Sequence, residues 1–295
     1  MDKQIMIITT TYNNQYHIYD LIQSCARQTY KNFKLIITDD GSTDYTNQMV
    51  KEMMAQYEWI EHIKLPHGER GIARVKAINY AEELGYDFLM IIDSDMKLDP
   101  DLLGTAVGKM ENCPEVGALV IQETPVSKHK NLMTKVKIFE RKVINNAYKV
   151  DNHSVEAARF WRKEAYVESG GIHSNQISFE EIQPTLRYRD KGGIVERLKG
   201  SGLSHDEKKV TLVNLLQKKM YHFEKMPETL STEEHGFLKA FQRWYFFRPV
   251  LYQFNNLWLY IKHPVLALGM IGMYLLLTVL GTMQIMNQLL ADVGV

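Results

Sequence analysis

Short apolar runs alternate with amphipathic stretches over the first 120 residues. Ile5, Ile7 and Ile8 predict a first buried strand, which reads as the start of a fold and not as a secretory signal. Ile18, Leu21, Ile22 and Cys25 then recur at helical spacing. Residues 35–38 form a second apolar run and lead into the polar turn Asp39-Asp40-Gly41-Ser42-Thr43. One helical stretch follows to Tyr57 and another covers residues 71–84. Residues 88–92 read as a strand ending in Asp93-Ser94-Asp95, and residues 117–121 as one more. Strands about 30 residues apart with helices between them predict an α/β, doubly wound, mostly parallel sheet.

After Pro125 the texture changes. Residues 128–149 carry seven Lys/Arg against one Glu, with apolar positions at Leu132, Val136, Phe139 and Val143. That spacing predicts an amphipathic helix, either packed on the sheet or drawn to anionic headgroups. Strand and helix signals then weaken, with Gly170-Gly171 and Gly192-Gly193 as punctuation. A catalytic domain over residues 1–226 is expected, because Pro227 and the polar stretch to His235 read as a linker. Within residues 227–263 the linker gives way to Phe, Trp and Tyr mixed with Lys/Arg, the pattern of interfacial helices. Residues 264–291 contain no charged side chain.

About 20 apolar residues cross a bilayer core, so the last run is long enough to span. A buried core helix, a re-entrant segment and an in-plane segment are the alternatives. Lys239, Arg243, Arg248 and Lys262 precede the run and no Lys/Arg follows it, which puts the catalytic part on the cytoplasmic side of the cell membrane.

The 295 residues hold 35 Lys/Arg and 35 Asp/Glu, for a formal net charge of zero. A 45% hydrophobic and 24% charged composition is globular. Zero net charge argues against nucleic acid as a partner. Two cysteines make neither a disulfide framework nor a metal site, so a reducing compartment is expected. The neutrality hides a gradient. Residues 1–100 hold 10 basic and 15 acidic side chains, and residues 101–200 hold 16 and 13.

The acidic residues fall where ligands bind. In an open parallel sheet that place lies outside the carboxyl ends of the strands. Thr10-Thr11-Tyr12 follows the first strand, Asp39-Asp40 the second, and Asp93-Ser94-Asp95 a later one. Two carboxylates at a period of two share a side in extended backbone, and they repel unless a cation lies between them. Oxygen ligands at a solvent rim favour Mg²⁺ or Mn²⁺ bridging to substrate phosphates. No Walker loop and no G-x-G-x-x-G occurs, so phosphate is left to the metal and to basic groups such as Arg74.

Thr11-Tyr12-Asn13, Gln28-Thr29-Tyr30, Asp39-Asp40-Gly41-Ser42-Thr43-Asp44 and Asp93-Ser94-Asp95 together closely resemble the family 2 glycosyltransferases. Ser169-Gly170-Gly171-Ile172 is similar to that family's Gly-Gly-Phe-Asp turn. Phe179-Glu180-Glu181 with Leu186-Arg187 is similar to its Glu-Asp acceptor motif. The resemblance covers roughly residues 4 to 200. It implies the Rossmann-like glycosyltransferase-A fold and inverting sugar transfer from a nucleotide-sugar donor.

Carried over by position, the resemblance gives Thr10, Tyr12 and Asp40 to the base and ribose, with Asp39 beside them. Arg74 would lie near the diphosphate, although Val75 stands where many members have Asn. Asp95 would be the main metal ligand, with Asp93 in support and Ser94 between them on the donor side. The general base would be Glu181, one methylene longer than the usual Asp, with Glu180 as the alternative. Ser204-His205-Asp206-Glu207 and Lys218-Lys219-Met220-Tyr221 resemble the tail of membrane-acting members. There His205 would approach the metal or the diphosphate, and Gly171, Lys218, Lys219 and Tyr221 would face the acceptor. Met220-Tyr221 replaces the Arg-Trp of processive synthases, which argues against processive synthesis.

The expectation is a metal-dependent glycosyltransferase, with UDP as the expected donor base and a lipid-linked or glycan acceptor. It would work in polysaccharide or glycoconjugate assembly. Direct transfer to a polyprenyl phosphate is one alternative, and an inactive nucleotide-sugar-binding or scaffold protein is another.

Overall fold

The computed structural model describes residues 2–68, 70–147, 156–173, 182–224 and 245–292. The chain divides into two compact units. The first is Met1–Thr124 with Lys149–Asp206, and the second is Pro125–Tyr148 with Glu207–Val295.

The first unit is built on β1 (Ile5–Thr11), α1 (Gln15–Ala26), β2 (Phe33–Asp39), α2 (Thr46–Met54), β3 (Ile60–Lys64) and α3 (Arg70–Leu84). It continues with β4 (Phe88–Ile91), β5 (Met96–Leu98), α4 (Leu102–Asn112) and β6 (Val116–Val126). After α5 (Leu132–Asn145), which belongs to the second unit, come β7 (Arg159–Arg162), α6 (Lys163–Glu168), α7 (Ile182–Asp190) and β8 (Ile194–Asp206). The eight strands form one sheet in the order β3-β2-β1-β4-β7-β6-β8-β5. β1 pairs parallel with β2 and β4, and β2 with β3. Three further pairings, β4 with β7, β6 with β7 and β5 with β8, are antiparallel. The doubly wound parallel sheet expected from the sequence is therefore the first four strands, and antiparallel strands extend it.

Strand alternation explains the layers. Ile5 and Ile7 of β1 pack with Ile18, Leu21 and Ile22 of α1, whereas Met6 and Ile8 pack with Ala77, Ile78 and Ala81 of α3. Each buried Ile, Leu or Met among them contributes roughly 1.5–3 kcal/mol, so both faces of β1 are committed to apolar residues. The β1–β2 register sets Thr11 beside Asp39, so the carboxyl ends of these strands are level.

The second unit holds α5 (Leu132–Asn145), α8 (Leu212–Glu224), two short 3-10 turns (Tyr245–Phe247 and Pro249–Tyr252), α9 (Phe254–Lys262) and α10 (Pro264–Asp292). Val136, Phe139 and Val143 of α5 are buried as the heptad-like spacing requires, but against Met270, Met273, Tyr274 and Leu277 of α10. The expectation that α5 packs on the sheet is thus corrected, because a long apolar helix offers it a closer-fitting partner. Gly269 marks that contact: a Cβ there would lie 2.6 Å from Val136 Cγ2. Leu132, expected on the same face, is 59% exposed. Residues 125–148 and 207–226, expected inside the catalytic domain, fall in this unit instead. Residues 227–244 of the expected linker lie outside the described residues.

Candidate active site

The rim of the parallel strands collects the acidic residues. Asp39, at the end of β2, is fully buried and serves its own turn: Oδ1 accepts the Ser42 amide at 3.0 Å and Oδ2 accepts Asn47 Nδ2 at 3.2 Å. Gly41 turns the chain at φ 73°, and a Cβ there would meet the His67 amide nitrogen at 2.5 Å. Glycine is required for both reasons.

Asp40 is held by the segment after β3. Its Oδ1 accepts the Gly68 amide and its Oδ2 accepts His67 Nδ1–H, both at 3.0 Å. The His67 ring stacks on Tyr12, with centroids 4.1 Å apart and 15° between planes. Tyr12 is 44% exposed, so an aromatic platform stands open beside Asp40. Thr10 is half-buried and sits in register with Thr38. Tyr12 and Asp40 are thereby brought together, with His67 as a third member. A lone His in a Pro-His-Gly loop carries no local signal, and only the β2–β3 pairing delivers it.

Asn13, at φ 47°, ties the two turns together: its Oδ1 accepts the Thr43 amide at 2.8 Å, and its own amide donates to Ser42 Oγ at 2.9 Å. Asn14 Nδ2 donates to Ser94 Oγ at 2.9 Å, which links the first strand to the Asp93-Ser94-Asp95 loop.

That loop joins β4 to β5, and the antiparallel partner of β5 is β8. The register sets Met96 beside His205, and the Asp206 amide donates to the Asp95 carbonyl at 3.0 Å. His205 is therefore placed against Asp95 by the ladder, with its Nε2 3.2 Å from Asp95 Oδ1. Asp93, Asp95 and His205 each offer a ligand atom, and these atoms all lie within 4.8 Å of one another. Two carboxylates and an imidazole fit a divalent cation of the Mn²⁺ or Mg²⁺ type, the nitrogen favouring the softer Mn²⁺.

Two further side chains support this group. Glu123 of β6 is buried, its Oε2 3.1 Å from His205 Nδ1 and its Oε1 accepting the amides of Ala157 and Ala158. An imidazole that donates Nδ1–H to a carboxylate directs its Nε2 lone pair outward, the arrangement that orients histidine ligands of metals. Arg74, on α3, is 1% exposed and donates Nη2–H to Asp93 Oδ1 at 2.6 Å. It is thus a buried partner of Asp93, which excludes a solvated helix arginine. Sequence reading missed Glu123, a carboxylate inside an apolar strand run that had no partner in view.

On the acceptor side, Gly170 and Gly171 both take positive φ, 76° and 59°. Arg187 of α7 fastens the turn, donating from Nε to the Ser169 carbonyl at 2.7 Å and from Nη2 to the Gly171 carbonyl. Glu180 and Glu181, the expected base and its alternative, lie outside the described residues, immediately before α7. Lys218 and Lys219 lie on α8 in the second unit, as does Tyr221, whose side chain is outside the described residues. Lys219 Nζ is 5.7 Å from the Tyr245 ring centroid.

Residues 6–170 match the model of glycosyl transferase family 2, which is more than half of the chain. The chain therefore belongs to that family. Among curated proteins it is 32% identical over 104 residues to the putative teichuronic acid biosynthesis glycosyltransferase TuaG of Bacillus subtilis, covering 34% of this chain and 38% of TuaG. It is 26% identical over 110 residues to the glycosyltransferase GlyA of Streptococcus pneumoniae, covering 37% of this chain and 15% of GlyA. The matched segments thus span well under half of either relative. The structure of Staphylococcus aureus TarS residues 1–349 with UDP-GlcNAc superposes with a TM-score of 0.57 at 16% identity, over 85% of this chain and 73% of that one. The mannosyltransferase PcManGT of Pyrobaculum calidifontis, in complex with GDP-Man and Mn²⁺, gives 0.55 at 15% identity, over 96% and 84%. These likenesses establish the glycosyltransferase-A fold.

Proposed function

We propose that this family 2 glycosyltransferase moves a sugar, with inversion, from a UDP-sugar to a lipid-linked or glycan acceptor at the cytoplasmic face of a membrane. The observation that carries the reading is the convergence of Asp93, Asp95 and His205 beside the Asp40–Tyr12 platform. A nucleotide base stacks on a platform such as Tyr12 while Asp40 accepts its N–H. Asp95 and His205 would hold a divalent cation, with Asp93 fixed by Arg74 and His205 by Glu123. Bound there, such a cation would supply positive charge to stabilise the departing diphosphate. Glu181 takes the acceptor proton as the acceptor oxygen attacks the anomeric carbon opposite the leaving nucleotide. The relatives' names support an anionic or cell-wall polymer pathway, and the uncharged run from residue 264 supports a membrane setting.

A screen of nucleotide sugars for Mn²⁺-dependent donor hydrolysis and transfer tests the reading. Asp95→Ala should lower turnover about 10²–10³-fold, the scale of losing transition-state charge stabilisation. Undiminished activity in excess EDTA overturns the metal scheme. Glu181→Gln with full activity overturns the general-base role and points to a phosphate acceptor.

A further inference from the structure

The zero net charge separates along the two compact units. The first unit holds 20 Lys/Arg against 28 Asp/Glu, and the second holds 15 against 7. The second unit is therefore strongly basic, and it also carries the longest apolar helix. The apolar part of α10, Pro264–Gln284, is 21 residues long, and only 28% of its most apolar stretch is buried. A core helix of a water-soluble domain would be mostly buried, so most of this run is left uncovered.

The covered and open faces of α10 are distinct. Val265, Leu268, Ile271, Leu275, Val279 and Met283 are all exposed. At 100° per residue they occupy a stripe about 120° wide. Met270, Met273, Tyr274 and Leu277 lie opposite and are buried against α5 and α8. The neighbouring α9 repeats the pattern, with Phe254, Leu257, Trp258 and Ile261 exposed at i, i+3, i+4 and i+7. Lys262 Nζ lies 5.2 Å from the Trp258 ring centroid, an aromatic-cation pair of the kind that sits at headgroup level.

What lies behind the covered face decides how the helix meets lipid. Tyr274 stands at the middle of the 264–284 run, and its hydroxyl donates to Glu140 Oε1 at 2.9 Å. Glu140 is in turn paired with Lys137, and Arg248 Nη1 stands 4.0 Å from it. If α10 crossed a bilayer in this packing, Glu140, Lys137 and Arg248 would sit at the hydrocarbon midplane, where charged groups are most disfavoured. If α10 lies along the surface, the stripe enters one leaflet and the charge cluster behind it stays on the water side.

We propose that the second unit docks in the plane of an anionic bilayer through the exposed faces of α10 and α9, and that α10 does not span it. The proposal rests on the membrane setting of the proposed function. The excess of basic residues complements acidic headgroups, each Lys/Arg near the surface adding to the attraction, and the apolar stripe anchors the contact. A second copy of the chain, the other candidate for this face, would find the same basic unit and would be repelled by it.

Depth measurement tests this. Leu268→Cys, Leu275→Cys, Val279→Cys and Met283→Cys, each in a Cys113→Ser background with Cys25 buried, are labelled with an environment-sensitive fluorophore. They are bound to vesicles of three parts phosphatidylcholine to one part phosphatidylglycerol, and brominated lipids report depth. In-plane docking gives one shallow depth at all four positions, release by alkaline carbonate, and loss of flotation when salt is raised. Depth that peaks near residue 275 and falls to both sides, with resistance to carbonate, overturns the in-plane geometry and keeps the membrane setting. Absence of flotation on these vesicles overturns both, and a concentration-dependent dimer by sedimentation then identifies the occupant as a second copy. Leu268→Glu with Leu275→Glu should lower vesicle binding at least tenfold while donor hydrolysis by the same preparation stays unchanged. Loss of hydrolysis in the unsubstituted chain would instead count against the transferase reading alone.

Discussion

The two compact units are built inside out with respect to each other. In the first, both faces of the sheet are buried apolar layers, and Asp40, Asp93 and Asp95 stand at the rim beside donors that hold them. In the second, an ionic cluster around Glu140 lies inside, and large apolar side chains of α9 and α10 lie outside. The contrast teaches that charge in this chain is sorted by task. Carboxylates at the first rim are gathered at strand ends and held by His67, Arg74 and His205. Cations of the second unit are arranged around one carboxylate and beside an apolar surface.

A buried glutamate in each unit can be compared through its partners. Glu123 serves His205 and two backbone amides in the first unit, and Glu140 serves Lys137, Arg248 and Tyr274 in the second. Removing them should separate the units cleanly. Glu140→Gln leaves the half-buried Lys137 and Arg248 without their buried carboxylate, a loss of up to about 3 kcal/mol, the lower end for a broken buried pair. Amide hydrogen exchange should then show α5 and α10 losing protection while β1 and β2 keep theirs. Equal loss in all four elements would mean that the units unfold as one and would remove the comparison.

Glu123→Gln is the smaller counterpart. It keeps the shape of the side chain but loses the charge that orients His205, for which about a 10–100-fold weaker metal affinity is expected. Titration of Mn²⁺ followed by its electron paramagnetic resonance signal measures this without turnover. Unchanged affinity would reduce Glu123 to a brace for the Ala157–Ala158 backbone, and protection in α5 and α10 should not move in either case.

The smallest effect is in pH. Burial pushes the Glu140 carboxyl up, but Lys137 and Arg248 outweigh it and bring it down to about 2 from an ordinary 4.5. A carboxyl depressed in the fold stabilises above its unfolded value and loses that contribution as pH falls toward the folded one. The protection of α5 and α10 should therefore decline between about pH 4.5 and 2, and Glu140→Gln should flatten that window. Lys219 slopes the same way at higher pH. Burial and the nearby Lys137 bring its amine down from 10.5 to about 7, so the unfolded chain binds more protons between those values and stability rises through them. Lys219→Met should abolish that rise. A rise that persists in this variant would assign it to another group.

Much of the first unit was legible along the chain. β1, β2 and β4 are continuous apolar runs, and a buried strand is defined by that local pattern. The turn at Asp39–Gly41 and the carboxylates after β4 follow from strand ends, so Asp40, Asp93 and Asp95 could be placed on one rim. β3, β5, β7 and β8 were not legible. β5 has three residues, and β8 is interrupted by charged residues and two glycines with no continuous apolar run. His67 and Glu123 were missed for one shared reason: each acts on a residue at least 27 positions away.

The sequence by itself determined the α/β class, the carboxylate rim, the basic excess after residue 125 and the uncharged C-terminal run, because each is a property of neighbours along the chain. Tertiary structure alone decided that β5 meets β8 antiparallel and so brings His205 to Asp95. It alone decided that α5 leaves the sheet for α10 and buries Glu140 behind the apolar helix. Those outcomes depend on which of several compatible surfaces pack together, and that competition is settled by the burial and pairing of distant segments, which local pattern does not encode.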